Sequence, residues 1–443
     1  MMNKVAALLI ALSFSFAGCA DHNSIVMIVD DKGQTVPENL ITFIDNGGWC
    51  WFQDERVIMH DGKLVVGAVS GTEGGDIKVA NYDMAGEKHL GTIVLHEDFE
   101  ADDHDAPVFC VRPDGRVLVT YEKHFRTQDP YHYFRLSEVN DTTKWGEEYT
   151  YHHGQGQWLT YANVYYMPYE KRMYNFYRDG RIYTPHFIYS DDLGKSWVAG
   201  GQFIDDGNPD RRQRPYARYC TNNKDTVYIT FTEGHPRVCN NSVFFAKFRD
   251  GKFYKVDDTY IKDLKDGPLI PQEADLLYKG SKREDRGWTS SIRLDDNGYP
   301  CIGYTVYHSN EDHRYCYTRW DGSRWHNHQA AFGGGCFWPH ENDYTGLITI
   351  DPTDVNVVYV STNVNPETGE KIGTGKHEIY KGVTADYGAS WVWTAITANS
   401  QQDNIRPVVP KSDGQNYALL WLRGSFPSFI KYELDVVGIV IKK

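Results

Sequence analysis

Long runs of the helix formers Ala, Leu, Glu and Lys are missing from this sequence, which argues against a helical bundle. Paired cysteines are missing too. Beyond Cys19, the chain of 443 residues has Cys50, Cys110, Cys220, Cys239, Cys301, Cys316 and Cys336. An odd set without paired spacing argues against a disulfide framework. Most of these thiols lie in apolar, strand-like runs such as Val108-Phe109-Cys110 and Pro300-Cys301-Ile302, where cysteine acts as a small buried hydrophobe. Positive charge is in short supply: 46 Lys and Arg against 60 Asp and Glu leave a formal net charge of −14. A nucleic-acid partner is therefore not expected. After the first residues, no apolar run is long enough to cross a bilayer.

The N-terminus stands apart. Met1-Met2-Asn3-Lys4 supplies a positive start, and Val5 to Phe16 is almost wholly apolar yet short for a span. Phe16-Ala17-Gly18-Cys19 then places small residues before a cysteine. This is the form of a secretory signal. It also resembles a bacterial lipobox, with Phe16 where an aliphatic residue is usual. The expectation is a signal peptide/lipobox over residues 1–19 and an exported outer-membrane lipoprotein, periplasmic or on the cell surface. Its membrane contact would be a lipid on Cys19.

What the chain has in quantity is strand and turn material: 31 Tyr, 12 Trp and 40 Gly. Tyr, Trp, Val and Thr suit pleated, half-buried strands, and glycine marks the turns between them. Apolar runs of period two recur around Asp-Gly or Asn-Gly, as in Pro107–Tyr121 around Gly115 and Ser291–Tyr304 around Gly298. Each copy reads as an antiparallel hairpin. Ser190-Asp191-Asp192-Leu193-Gly194-Lys195-Ser196-Trp197 fits the Asp-box hairpin of propellers such as sialidases, and Thr384–Trp391 is close to it. Asp250–Phe253 and Trp320–Trp325 are looser versions. Inner strands are expected to start near Trp49, Asp105, Tyr161, Tyr216, Thr289, Tyr344 and Arg406. Seven starts imply an all-β, seven-bladed β-propeller with Asp-box hairpins. It would occupy residues 24–443 as one domain and a monomer, with a strand from residues 24–42 closing the ring.

In a propeller the first strand of each blade begins, and the second ends, on one face around the channel. Those positions hold His104 and His124, Tyr161 and Arg178, Arg214/Tyr216 and His235, Trp288 and His308, and Arg406 and Arg423. The result is a ring of His, Tyr and Arg. Arg178, Arg211, Arg212, Arg214, Arg218, Arg406 and Arg423 would make one cationic face on an acidic body. The ring supplies no pair of carboxylates, which glycoside hydrolysis normally uses. Uronate β-elimination needs other groups. An arginine neutralises the carboxylate so that the C5 proton becomes removable, and His or Tyr groups take that proton and protonate the departing O4.

Several segments resemble, in order along the chain, the BNR-repeat propellers that include the ulvan lyases. They are Gly47–Arg56, Ala101–Pro107, Val111–Gly115, Arg214-Pro215-Tyr216, Gly234–Arg237, Asp312–Tyr315 and Arg406–Pro410. The resemblance implies a polysaccharide lyase acting on a sulfated rhamnose–uronate polymer. His104, His124, Tyr161 and Arg178 would be catalytic, with Tyr216 a second candidate for the tyrosine. Tyr216, Arg214, Trp288, Arg406 and Arg423 would bind the acidic polysaccharide. Relatives that remove terminal rhamnose have a histidine after Trp-Cys-Trp-Phe, where this chain has Gln53. An exo-acting rhamnosidase, a rhamnosyl-glucuronate lyase and a non-catalytic glycan-binding propeller remain open as alternatives. The family also resembles metal-containing propellers. No cofactor is expected in catalysis, but His235, His313, Cys336 and His340 would suit a closed structural Zn2+ site.

Overall fold

The computed structural model describes residues 25–72, 74–124, 130–152, 158–208, 214–281 and 285–442. The signal segment and Cys19 lie outside them, as do Arg211 and Arg212.

Seven antiparallel sheets follow one another along the chain as the blades of a β-propeller. Their inner strands are Val57–His60, Val108–Val111, Leu159–Met167, Ala217–Thr221, Arg286–Leu294, Ile348–Ile350 and Asp403–Val408. The ring closes later in the N-terminal segment than expected: Ile41–Ile44 pairs with Lys431–Lys442 as the outermost strand of the seventh blade, while Met27–Val29 and Thr35–Pro37 pair with each other. This joins the two ends of the chain in one sheet and leaves no open blade. Among the described residues no helix is long and apolar enough to cross a membrane.

The hairpin signals sit where period two put them. Ser190 Oγ accepts from the Gly194 N–H at 2.7 Å, and Asp192 accepts from the Ser196 N–H at 2.9 Å and its hydroxyl at 2.6 Å. Thr384, Asp386, Gly388 and Ser390 repeat that pattern. Trp197 then stacks on Phe134 of the preceding blade, with centroids 4.9 Å apart. Trp391 meets Tyr317 of its own preceding blade edge-on at 5.4 Å. These turns therefore set blade-to-blade packing through an aromatic anchor. All seven cysteines among the described residues are free, and five are buried.

Two of the expected strand starts are corrected. Trp49 opens no strand, and Tyr344 lies in irregular chain ahead of Ile348–Ile350. Residues 47–56 instead run buried among the inner strands and fill the middle of the ring, with Trp49, Cys50, Trp51, Phe52, Gln53 and Asp54 all at most 3% exposed. Arginines and an amide from surrounding blades bind this segment's backbone. Arg406 donates to the Trp49 carbonyl at 2.5 Å and Asn163 to that of Phe52 at 2.9 Å. Arg218 donates to the Trp51 carbonyl and the Asp54 carboxylate. Irregular backbone can be buried here because side chains replace the missing ladder partners.

Candidate active site

His104 sits in a short 3-10 turn, Asp103–Asp105, capped by Asp102, which accepts the His104 N–H at 3.0 Å. His124 follows Val117–Glu122, the second strand of the same blade. Asp102 is fully buried, and its carboxylate is shared by the two histidines. Oδ1 lies 2.6 Å from His104 Nδ1 and Oδ2 lies 2.9 Å from His124 Nδ1. The imidazoles stack with centroids 4.0 Å apart and planes 21° from parallel. Asp103 Oδ1 approaches His104 Nδ1 at 2.8 Å, and its other oxygen accepts from Arg406 at 2.5 Å.

Arg178 ends the strand Arg172–Asp179 of the next blade. Its guanidinium donates to the Tyr216 hydroxyl at 2.8 Å and to His124 Nε2 at 3.1 Å. Guanidinium has only donors, so His124 Nε2 is the bare nitrogen and its proton sits on Nδ1, facing Asp102. The guanidinium carbon lies 4.4 Å from the Tyr161 ring centroid, 5.3 Å from Tyr216 and 5.4 Å from Trp158. Arg178 is 4% exposed, and none of its ion-pair distances reaches a carboxylate among the described residues. A buried cation in that condition has an unmet need for an anion.

Tyr161 is placed by backbone irregularity. It has φ of 65° where the register of its strand shifts between Thr160 and Asn163. A bulge re-aims a side chain out of the alternating pattern, and here the ring is turned to 5.2 Å from His104. The Tyr161 hydroxyl makes no hydrogen bond among the described residues.

The two histidines are driven apart in charge. Burial pushes His124 down to about 4, helped by the positive charge of His104 and, more weakly, of Arg178. Burial also opposes a charge on His104, but Asp102 and Asp103 outweigh it and hold His104 well above the ordinary histidine value. Burial raises the Tyr161 phenol well above its usual range, against the pull of Arg178. At neutral pH the site thus presents a neutral imidazole, an imidazolium, a protonated phenol and a guanidinium.

The structure brings together His104, His124, Tyr161, Arg178 and Tyr216. Trp288 joins them at one remove, 5.3 Å from Tyr216 and 5.2 Å from His235. Arg214 is half-buried, with its guanidinium over Tyr183. Arg406 is a correction: at 1% exposure it is bound to Asp103 and the Trp49 carbonyl, so it holds the central segment and is out of a substrate's reach. Arg423 lies on its blade's second strand, opposite Asn404. The expected cationic face is likewise reduced, because Arg218 is paired with Asp54 inside the ring. Gln53 is fully buried and donates to the Asp103 carbonyl at 3.1 Å.

The four expected zinc ligands are not gathered. His235 Nε2 lies 2.5 Å from Glu341 Oε1, Cys336 is half-buried and His340 is exposed. His313 alone has the mark of a missing ligand, being fully buried with neither ring nitrogen hydrogen-bonded. As arranged, the four do not fit a closed tetrahedral site. Sequence reasoning missed Asp102 and Asp103. The signal was the run Asp102-Asp103-His104-Asp105, of which Asp102 and Asp103 face the imidazole while Asp105 accepts the His124 N–H at 3.0 Å. Phe429 was also missed; it reaches in from a blade hairpin to 5.2 Å from His104 and 5.8 Å from His124.

The propeller fold has counterparts among known proteins. The chain belongs to the BNR repeat-containing family, whose profile matches residues 67–332. A solved ulvan lyase, described as a new polysaccharide lyase family (PL25), superposes with a TM-score of 0.63 at 16% identity. The alignment covers 89% of this chain and 94% of that one. The same lyase bound to -[GlcA(1-4)Rha3S]- gives 0.64 with the same coverage. The NanB sialidase of Streptococcus pneumoniae, as a K499G mutant, gives 0.43 at 9% identity, covering 91% of this chain and 70% of that one. At these identities the likeness shows the fold. No curated protein sequence matches.

Proposed function

We propose that this protein is a polysaccharide lyase that cleaves a rhamnose–uronate, ulvan-type polymer by β-elimination. The observation that carries the reading is Arg178, a nearly buried guanidinium without a carboxylate beside a neutral imidazole and an unpartnered phenol. A uronate carboxylate would take the Arg178 fork as a charge-assisted pair, with the His104 imidazolium adding positive charge. Neutralised in this way, the carboxylate can accept charge as the C5 proton leaves. His124 Nε2 takes that proton, the C5–H electrons form the C4=C5 bond, and the C4–O4 bond breaks. The Tyr161 hydroxyl gives its proton to O4. The products are an unsaturated uronate end and a free hydroxyl, and solvent returns the proton from His124 to Tyr161. His124 is the base, Tyr161 the acid, and His104 and Arg178 the neutralising pair.

The buried, backbone-bonded Gln53 speaks against a rhamnosidase centred on that position. The signal-like stretch ending at Cys19 supports placing the enzyme outside the cytoplasm on a lipid anchor. The test is incubation with a panel of rhamnose–uronate polymers, following short-wavelength absorbance of the unsaturated uronate. Release of rhamnose or shorter chains without that chromophore would make the enzyme a hydrolase and end the proposal.

A further inference from the structure

Phe429 is an unusual residue for its place in the chain. Asn416–Ser428 and Lys431–Lys442 are the longest strands among the described residues, and they pair down to Ser428 opposite Lys431. Two residues, Phe429 and Ile430, make the turn between them. Turns this tight favour Gly, Asn and Asp, so two large apolar side chains stand there against local preference. The tip is also tied down. The Phe429 carbonyl accepts the Asp103 N–H at 2.9 Å, which fixes it to the 3-10 turn that carries His104.

Its ring meets His104 edge-on at 5.2 Å, with planes 86° apart, and His124 at 5.8 Å and 65°. Trp338 backs the ring edge-on at 5.4 Å. One phenyl ring thus flanks both members of the stacked pair. The charged groups that face His124 come from other elements. Asp102, His104 and Asp105 belong to the 3-10 turn and its cap, and Arg178 to the strand of the next blade. The neighbouring Lys123 lies over the Phe99 ring at 4.9 Å, and Lys431, beside the hairpin tip, is exposed. What the hairpin brings to His124 is an uncharged ring. Water stabilises a protonated imidazole, and an apolar group in its place withdraws that stabilisation. Burial is the leading cause that pushes His124 down to about 4, ahead of the charge on His104. Phe429 is itself half-buried, so trimming it opens the pair to solvent.

We propose that Phe429 is a positioning residue of the elimination: it shields the stacked imidazoles from water and keeps His124 uncharged, as a base must be. The proposal rests on the lyase reading for the role of His124, but the protonation of that ring can be read without turnover. The test uses Phe429→Ala, Phe429→Asn, which suits a tight turn, and Phe429→Leu, which keeps an apolar cover. His124 is titrated by NMR in each, its ring signal identified by its loss in His124→Gln, with melting temperatures as the folding control.

The wild-type midpoint is expected at about 4. Burial disfavours the charged ring, so admitted water favours protonation and moves the midpoint up. In Phe429→Ala and Phe429→Asn it should rise by about one unit toward the ordinary histidine value, and in Phe429→Leu it should stay. The acid limb of the pH–rate profile, followed by unsaturated-uronate absorbance, should rise with it. A folded Ala or Asn variant whose midpoint keeps the wild-type value overturns the proposal, whatever its rate. So does an equal rise in Phe429→Leu, which would trace the effect to the turn and not to apolar cover. A raised midpoint with an unmoved acid limb, or with no unsaturated product at all, keeps the shielding and fails the lyase assignment of His124 instead.

Discussion

Asp102→Asn is the most informative single change, because one carboxylate orients two histidines and separates their charges. Asp102 is fully buried and accepts from both Nδ1 atoms, at 2.6 and 2.9 Å. An asparagine can accept from only one of them and turns N–H donors toward the other. That second imidazole has to move its proton to Nε2 or swing away. For His124, a proton on Nε2 would face the Arg178 donor at 3.1 Å. Losing one charge-assisted hydrogen bond in a buried site removes about 2–3 kcal/mol of positioning, which is ~10²-fold in turnover. The charge has its own signature. Burial works against the His104 imidazolium and Asp102 is the leading opposing cause, so without it the His104 value falls. Activity that needs protonated His104 will then decay at lower pH than in wild type. On the acid side, wild-type activity should fall only as pH drops toward about 4, where His124 becomes protonated. The assay is initial rate of unsaturated-uronate absorbance against pH, with thermal melts to exclude unfolding. Turnover within threefold of wild type and an unmoved alkaline limb would refute the shared-carboxylate argument.

Arg178→Ala should lose about 3–4 kcal/mol of transition-state stabilisation, ~10²–10³-fold in rate, measured by the same absorbance assay; a loss smaller than tenfold would remove it from the mechanism. Zinc analysis of purified protein tests the metal assignment. With the four side chains apart, no stoichiometric zinc is expected, and chelation should leave the melting temperature unchanged; one equivalent, with chelation lowering the melting temperature more than the activity, would restore the assignment. Metal-free protein of unchanged stability ends that assignment.

The parts of the fold legible in the sequence were those written in local repetition. Asp-Gly hairpins and Ser190–Trp197 announce strands and turns because their hydrogen bonds close within a few residues. Position at strand ends was also enough to put His104, His124, Tyr161 and Arg178 on one face. The central segment was not legible. Trp49 to Phe52 read as a strand because apolar residues suit one. Its burial instead follows from ring closure and from arginines that lie far along the chain. For the same reason Arg406 read as a rim cation, whereas a shift in register at Ile405 and Val408, with φ of 53° at Arg406, turns it inward to Asp103. Asp102 was hidden among neighbours of its own kind. Which of several adjacent carboxylates faces a histidine depends on one 3-10 turn, and composition does not encode that.

The Arg178–His124 contact carries a consequence for the order of events. In the structure the base is capped, because Nε2 accepts from the guanidinium at 3.1 Å. A uronate carboxylate, as a charged acceptor, forms the stronger pair with guanidinium and draws it from the imidazole, so the base is uncovered by the group whose neighbouring proton it must take. A neutral methyl ester separates this arrangement from simple acid–base chemistry. Esterification makes the C5 proton intrinsically more acidic, so a site limited only by that acidity would cleave the ester faster. A site that needs the carboxylate to free His124 would cleave it more slowly, by ~10-fold or more if one charge-assisted contact is forgone. Polymer compared before and after methyl esterification, by kcat/KM from the unsaturated product, distinguishes the two. Faster cleavage of the ester would show that Arg178 does not govern access to the base.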